Sequence, residues 1–248
     1  GPISIGAGST LEIRAGLGQH TVLEPGAYLT SLSSLANGER IGQNEKWHGV
    51  PAVHVADAPV PPALPNDERT LSPFQHGALT LLARFTLAVL LALPFELPVV
   101  ILAVAYGIDA EAALDWLALP SFNAGLLLAA LLYVVLPAPL TLLLEALVMR
   151  ALGRVPTGTI SRWSPAYVRV WLKTGLVQSA NDWISGTLFW PVWLRLAGMK
   201  IGRGSEISTI TDVIPEHIEI GAETFFADGI YLGGPAAHRG TVTLRPTH

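Results

Sequence analysis

From Ile5 onward an apolar residue returns at every sixth position: Ile5, Leu11, Leu17, Leu23, Leu29, Leu35, Ile41 and Trp47. Four places after the first five of these stand Ser9, Ala15, Thr21, Ala27 and Ser33, all small, before Glu39 and Glu45 relax the rule. Few folds accept that spacing. A helix wants apolar residues three and four apart, and a half-buried strand wants every second one. Period six with a small second inward position predicts a parallel β-helix, one flat face per hexapeptide and three faces per coil. The large residue fills the interior and the small one fits the corner. Gly8, Gly26 and Gly38 supply the positive φ that the turns need.

The ladder ends at Trp47-His48-Gly49-Val50-Pro51-Ala52, and a second one begins at Ile201-Gly202-Arg203-Gly204-Ser205 with Ile207 and Val213. An extra residue then shifts the register, which resumes at Ile220-Gly221, Phe226 and Leu232. Terminal coils of a solenoid need capping, and neither ladder shows a cap. The chain therefore reads as the end of one prism and the start of another, a piece of something longer.

Between the ladders lie two apolar segments, Leu79–Tyr106 and Ala124–Met149. Each exceeds the roughly 20 residues a helix needs to cross a hydrocarbon core, and neither carries the polar stripe of a soluble surface helix. Their connection, Gly107–Asn123, holds Asp109, Glu111 and Asp115 and no Lys or Arg. The outer flanks hold Arg69, Arg84, Arg150, Arg154 and Arg162. The positive-inside rule puts both flanks, and hence both ladders, on the cytoplasmic side of a multi-pass cell-membrane protein. Pro94, Pro98, Pro137 and Pro139 predict kinks. Glu96 falls mid-segment, where an isolated charge is costly; it marks either a proton or substrate path or a partnered carboxyl at a kink. Glu145 and Arg84, nearer the ends, are expected to snorkel.

Beyond the hairpin, Trp163, Trp171, Trp183, Trp190 and Trp193 alternate with Arg162, Arg169, Lys173 and Arg195. Arg169, Lys173, Asp182 and Pro191 divide this stretch into pieces too short to span, and its aromatic rings with basic neighbours suit helices lying in the headgroup layer, the alternative being a soluble helical lid. Ser164-Pro165 is a helix start and Gly198 a helix stop.

The expected class is mixed: left-handed parallel β-helix (hexapeptide repeat) segments flanking a two-helix transmembrane hairpin and interfacial amphipathic helices. The expected boundaries are 1–55 for the first coils, 56–76 for a Pro-rich linker, 77–150 for the hairpin, 151–199 for the interfacial helices and 200–248 for the second coils. Composition agrees. Charged residues make up 14% of the 248, against about 25% in soluble domains. A net charge of −4 gives no basic face for nucleic acid. Without cysteine there is no disulfide framework, thiolate metal site or cysteine nucleophile.

The hexapeptide ladder resembles the scaffold of a large acyltransferase superfamily. A closer resemblance is to the terminal membrane region of the epsilon-poly-lysine synthetase family, single-module nonribosomal peptide synthetases. It rests on Ser164-Pro165-Ala166-Tyr167-Val168-Arg169-Val170-Trp171, on Phe225-Phe226-Ala227-Asp228-Gly229-Ile230-Tyr231-Leu232-Gly233-Gly234-Pro235, on His238-Arg239-Gly240, and on the order ladder, hairpin, ladder. That family places an adenylation and a thiolation carrier domain before six transmembrane helices and three tandem prism-like domains. The resemblance implies amide formation, in which a free amine attacks a carrier-bound aminoacyl thioester. By the same resemblance the segment itself is expected to bind no cofactor, with phosphopantetheine arriving on a carrier domain elsewhere in the full protein. The implied partners are the bilayer, the carrier and adenylation domains, and neighbouring β-helix domains.

Such a reaction needs a base near ambient pH and donors for a tetrahedral oxyanion. His238, just past Gly233-Gly234-Pro235, is the candidate base, with Asp228 to orient it or to hold the cationic amine. Arg239 is a candidate for the phosphopantetheine phosphate. Tyr231, Gly233 and Gly234 complete the substrate-binding set, and no metal site is expected. Two other readings remain: a membrane-bound acetyl- or acyltransferase using acyl-coenzyme A, and a scaffold with no chemistry of its own.

Overall fold

Two-residue strands recur at the period of the apolar ladder. In the computed structural model, which describes residues 1–66, 68–107, 109–119 and 124–247, they are β1 (Ser4–Ile5), β2 (Thr10–Leu11), β3 (Gly16–Leu17), β4 (Val22–Leu23), β5 (Tyr28–Leu29), β6 (Ser34–Leu35) and β7 (Arg40–Ile41), followed by the longer β8 (Glu45–Gly49) and β9 (Ala52–Asp57). Helices α1 (Pro73–Tyr106), α2 (Ala110–Ala118), α3 (Ala124–Val135) and α4 (Pro137–Ala151) come next, then β10 (Gly158–Ser161), α5 (Pro165–Ile184) and α6 (Phe189–Ala197). The chain closes with β11 (Lys200–Ile201), β12 (Glu206–Ile207), β13 (Ile210–Thr211), a 3-10 turn at Pro215–His217, β14 (Glu219–Ile220), β15 (Phe225–Phe226), β16 (Ile230–Tyr231), β17 (Ala236–His238) and β18 (Thr241–Leu244).

The chain divides into two units. The first comprises Gly1–Glu68, Thr159–Arg162 and Ala236–Thr243. Its strands pair in parallel with partners 18 positions on: Ser4 with Val22, Thr10 with Tyr28, Gly16 with Ser34, Val22 with Arg40 and Tyr28 with Lys46. Three strands thus make one turn, and every third strand joins the same sheet. Leu23, Leu29, Leu35 and Ile41 are buried with Ala27 and Ala52, and Leu17 and Trp47 pack on them. Ile5, at the ladder's first rung, is 55% exposed. Burial accumulates only where coil lies on coil. Small polar residues at the second inward position serve the corners: Thr21 Oγ1 donates to the Gly18 carbonyl and Ser9 Oγ to those of Gly6 and Glu24.

Positive φ recurs every six residues, at Gly8, Arg14, His20, Gly26, Leu32, Gly38 and Asn44. Only three of these are glycine, so the corner geometry is imposed by the stacked strands rather than by local preference. Gly6 and Gly18 answer a different need. A Cβ there would lie 2.5 Å from Pro25 N and 2.7 Å from Asn37 N, backbone of the next turn. At the end of the ladder β9 folds back antiparallel on β8, so the strands run to Asp57 and the irregular linker begins after it.

The second unit comprises Arg69–Gly158, Trp163–Pro235 and Leu244–His248. Ser72 opens α1 with a capping box completed by Gln75, and Gly107 ends it in the left-handed conformation. Pro94 and Pro98 lie inside this helix. The second apolar segment is not one helix but two, with α3 ending just before Pro137 opens α4. Prolines at 137 and 139 cannot donate to the carbonyls four residues back. The acidic connection carries α2, capped by Asp109; parts of this connection, 108 and 120–123, lie outside the described residues. Pro73–Ala105 and Ala130–Ala151 are both long and apolar enough to cross a membrane. Leu81, Leu82, Phe85, Leu93, Val100 and Val104 on α1 are exposed. A core helix of a soluble protein would bury them.

Two expectations fail here. Glu145 does not snorkel: it is buried, accepting from Ser179 Oγ at 2.6 Å. Helix α5 runs from Pro165 to Ile184, and its Lys173 is buried with the ammonium 2.5 Å from Glu216. Pro191 falls in the first turn of α6, where a missing N–H costs nothing. Trp190 and Trp193, expected in a headgroup layer, are instead buried, stacked with centroids 5.4 Å apart inside the core, which fits the helical-lid alternative. Their indole N–H groups donate to the Ser208 and Leu142 carbonyls. Ser164 caps α5 and Gly198 ends α6 at φ 114°, as the residues predict.

The second ladder is looser. Ile201 pairs with Ile220 and Ile207 with Phe226, 19 positions on, while Ile210 pairs with Ile230, 20 on. The 3-10 turn absorbs part of the surplus. Ile207, Ile210, Val213, Ile218 and Ile220 share one buried cluster with Met149 of α4, Leu176 of α5 and Trp190, Trp193 and Leu194 of α6.

Candidate functional site

The stretch expected to continue the second ladder to residue 248 is divided by the structure. Ala236–Thr243 belongs to the first unit, where β17 pairs antiparallel with β18 and β18 with β10. His238 therefore sits on the first ladder, not on a loop of the second. Its Nε2 lies 2.9 Å from the Pro59 carbonyl and its Nδ1 3.1 Å from Thr10 Oγ1. A carbonyl can only accept, so Nε2 carries the proton, and in the neutral ring Nδ1 accepts from the Thr10 hydroxyl. The imidazole also lies against Tyr28, centroids 5.2 Å apart.

Tyr28 extends the network. Its hydroxyl donates to Glu12 Oε1, and Ser31 donates to Glu12 Oε2 through its amide N–H at 2.8 Å and its hydroxyl at 2.7 Å. Burial raises the Tyr28 pKa, and the Glu12 carboxylate that its proton serves raises it further. For Glu12 burial also works upward, but the bonds from Tyr28 and Ser31 outweigh it and hold the carboxyl below its usual range. The pair thus rests as carboxylate and protonated phenol.

Arg239 follows at the β17–β18 turn with φ 43°. Its Nε donates to the Gly8 carbonyl at 2.8 Å and its NH2 group to that of Gly26 at 3.0 Å. Gly8 and Gly26 are one corner in successive turns, so Arg239 staples the stack from outside. These bonds use two of the five guanidinium N–H donors.

The other candidates lie in the second unit. Asp228 Oδ1 accepts from Ser208 Oγ and, at 3.5 Å, from Thr209 Oγ1, which also receives the Gly229 amide. The carboxylate closes a corner of the second ladder and belongs to a different unit from His238. Tyr231 is a half-exposed member of β16 beside Thr211. Gly233 has φ 62°. Gly234 is needed for close approach: a Cβ there would lie 2.1 Å from the Asp212 carbonyl oxygen. The six residues singled out by pattern thus fall into two groups, His238 with Arg239, and Asp228 with Tyr231, Gly233 and Gly234.

The second unit also holds a cluster that no repeating pattern in the sequence singles out. Glu216 Oε1, in the 3-10 turn, receives the buried Lys173 ammonium and the Val155 amide at 3.1 Å. His217 is buried beside it, with Nε2 3.0 Å from the Val155 carbonyl. Arg154, Thr157, Lys200, Glu219 and Pro246 join these two around a cavity of about 280 Å³. The available signal was Pro215-Glu216-His217, three residues that break the ladder's period. Among the described residues no group of three or more His, Cys, Asp or Glu is placed to hold a metal ion.

No family model matches this chain. It is 28% identical over 245 residues to the delta-poly-L-ornithine synthetase of Acinetobacter baumannii (strain AB307-0294). The match covers 93% of this chain but only 18% of that protein's length, so the likeness is to one region of a much longer poly-amino-acid synthetase.

Proposed function

We propose that this chain is the membrane-embedded part of a nonribosomal peptide synthetase that forms amide or isopeptide bonds between amino acids. The observation that carries the reading is the similarity to a poly-amino-acid synthetase over nearly the whole of this chain. The reaction we infer is aminoacyl transfer from a carrier-bound phosphopantetheine thioester to the free amine of a second amino acid. We read both ladders as left-handed parallel β-helices held at the cytoplasmic face by the α1–α4 membrane segment, with further β-helix, carrier and adenylation domains as partners. The positive flanks and acidic connection support that orientation.

In this reading an amine must shed a proton, and the His238 ring is held in one orientation beside Thr10 and Pro59 to receive it. Its Nε2–H is anchored on Pro59, leaving the Nδ1 lone pair held only by the Thr10 hydroxyl. The guanidinium donors of Arg239 not spent on Gly8 and Gly26 would meet the phosphopantetheine phosphate. Asp228 and the backbone N–H groups around Gly233 and Gly234 would serve the cationic amine and the oxyanion from a neighbouring domain.

The test is single-turnover transfer by the chain in lipid nanodiscs, supplied with a carrier loaded with an aminoacyl thioester and with free amino acid. Amide product from the loaded carrier, with acetyl-coenzyme A ignored, is the expected outcome. Acetyl transfer from coenzyme A would replace the reading with a coenzyme A-dependent acyltransferase. Unchanged product formation when this segment is omitted would make it a scaffold.

A further inference from the structure

Helices α1 and α4 face each other across a groove of about 470 Å³ lined by leucines of both helices, Val100, Pro94 and one charged residue, Glu96. Counting back from Ala105, the end of the first apolar span, Glu96 lies about 14 Å along the helix axis. Arg84, whose guanidinium rests 5.9 Å from the Trp171 ring centre, lies about 18 Å from it in the other direction. A hydrocarbon core is about 30 Å thick. With Arg84 near one boundary, Glu96 stands near the midplane.

The polar groups offered there are one-sided. Glu96 brings a carboxylate, which only accepts. Pro98, inside the helix, has no N–H to give the Pro94 carbonyl, and Pro94 lines the groove. Every other lining residue is Leu or Val, with no side-chain donor. The site is acceptor-rich, donor-free and negative, surrounded by hydrocarbon. An uncompensated carboxylate at that depth is strongly disfavoured. Such a carboxyl either takes a proton or is met by a partner that brings positive charge and N–H donors, and the orphaned Pro94 carbonyl beside it calls for donors as well. A bare metal cation asks for about six oxygen ligands, far more than this groove presents. A primary ammonium has three donors, and its alkyl chain suits the leucine walls.

We propose that this groove is a binding site for a primary alkylammonium group, the side-chain amine of the amino acid or polymer handled by the enzyme. The proposal rests on the membrane reading and on the function inferred above, and it adds a substrate-binding element within the hairpin itself. Glu96 forms the ion pair, the Pro94 carbonyl takes a second N–H, and the leucines of α4 cover the methylene chain.

The experiment is equilibrium binding of labelled 1,4-diaminobutane to the whole chain in nanodiscs. Saturable binding is expected, weakened about tenfold or more by Glu96→Gln. Glu111→Gln in the acidic connection should leave it unchanged. Pro98→Ala keeps the charge but returns an N–H to the Pro94 carbonyl, and should weaken binding severalfold while the helix stays folded by circular dichroism. Equal affinity for wild type and Glu96→Gln, absence of saturable binding, or equally effective displacement by potassium overturns the proposal. Sodium carbonate extraction tests the membrane reading separately: release of the chain from membranes sinks that reading whatever the binding result.

Discussion

In the first ladder Leu23, Leu29, Leu35 and Ile41 are buried among residues of the ladder itself. In the second, Ile207, Ile210 and Ile220 are buried against Trp190, Trp193, Leu176 and Met149 from three helices. The hexapeptide rule is the same in both, yet the first keeps its 18-residue turn without interruption while the second lengthens to 19 and 20. A coil that supplies its own interior must hold strict register, because each inserted residue turns the next side chain out of the stack. A coil that shares its core with helices tolerates insertions. It uses one of them, Pro215–His217, to place Glu216 against Lys173.

That contrast makes ranked predictions. Lys173→Met alone leaves the Glu216 carboxylate buried without its cation and should cost about 3–5 kcal/mol. Hydrogen exchange should locate the loss in α5 and the second ladder. The double variant Lys173→Met/Glu216→Leu should recover most of it, and failure to recover would show the pair to be more than a structural tie. Leu29→Ala, in the self-contained core, should cost about 2–5 kcal/mol. Ile5→Ala, one ladder position already largely exposed, should cost within about 0.5 kcal/mol in chemical denaturation. Equal costs would mean that the first rung is covered.

Smaller effects probe the corners. Gly26→Ala places a Cβ at φ 77° and 2.1 Å from Asn44 Oδ1, and should lose about 1–2 kcal/mol from the backbone alone while loosening the Arg239 staple. Leu32, exposed at φ 58° on the same ladder, should by contrast gain a few tenths of a kcal/mol or more on replacement by glycine, by relief of the same strain. The pH response of the first unit follows from the Glu12–Tyr28 pair. Glu12 titrates below its unfolded value, so its contribution is present above that value and is lost as pH falls through the lowered one. Tyr28 titrates above its unfolded value, so its contribution holds below that value and fades on the alkaline side. Thermal melts of Glu12→Gln should show a flatter acid limb than wild type.

Much of this architecture is readable in short stretches of residues. The spacing from Ile5 to Ile41 places every two-residue strand of the first ladder, and Ser164, Pro165 and Gly198 mark where α5 begins and α6 ends. The length and apolarity of the segments around Leu79 and Ala130 mark the two stretches long and apolar enough to cross a membrane. What could not be read were the partners. Lys173 looked like an exposed interruption of an apolar stretch because its carboxylate lies 43 positions away. Glu145 looked like a snorkelling end residue because Ser179 is on another helix. His238 and Arg239 followed the second ladder in order, and their hydrogen bonds reach back across more than two hundred positions to Thr10 and Gly8.

Periodicity, capping and apolar length are local: they follow from neighbours within a turn or two of chain, so the residues themselves settle where strands, corners and membrane-length helices form. Which ladder the β17–β18 hairpin clasps, which carboxylate neutralises Lys173, and which side chains share a groove with Glu96 depend on contacts between elements far apart in the chain. Those are chosen by packing and by the cost of leaving a charge or hydrogen-bonding group unmet, and only the folded chain, with every element in place, chooses them.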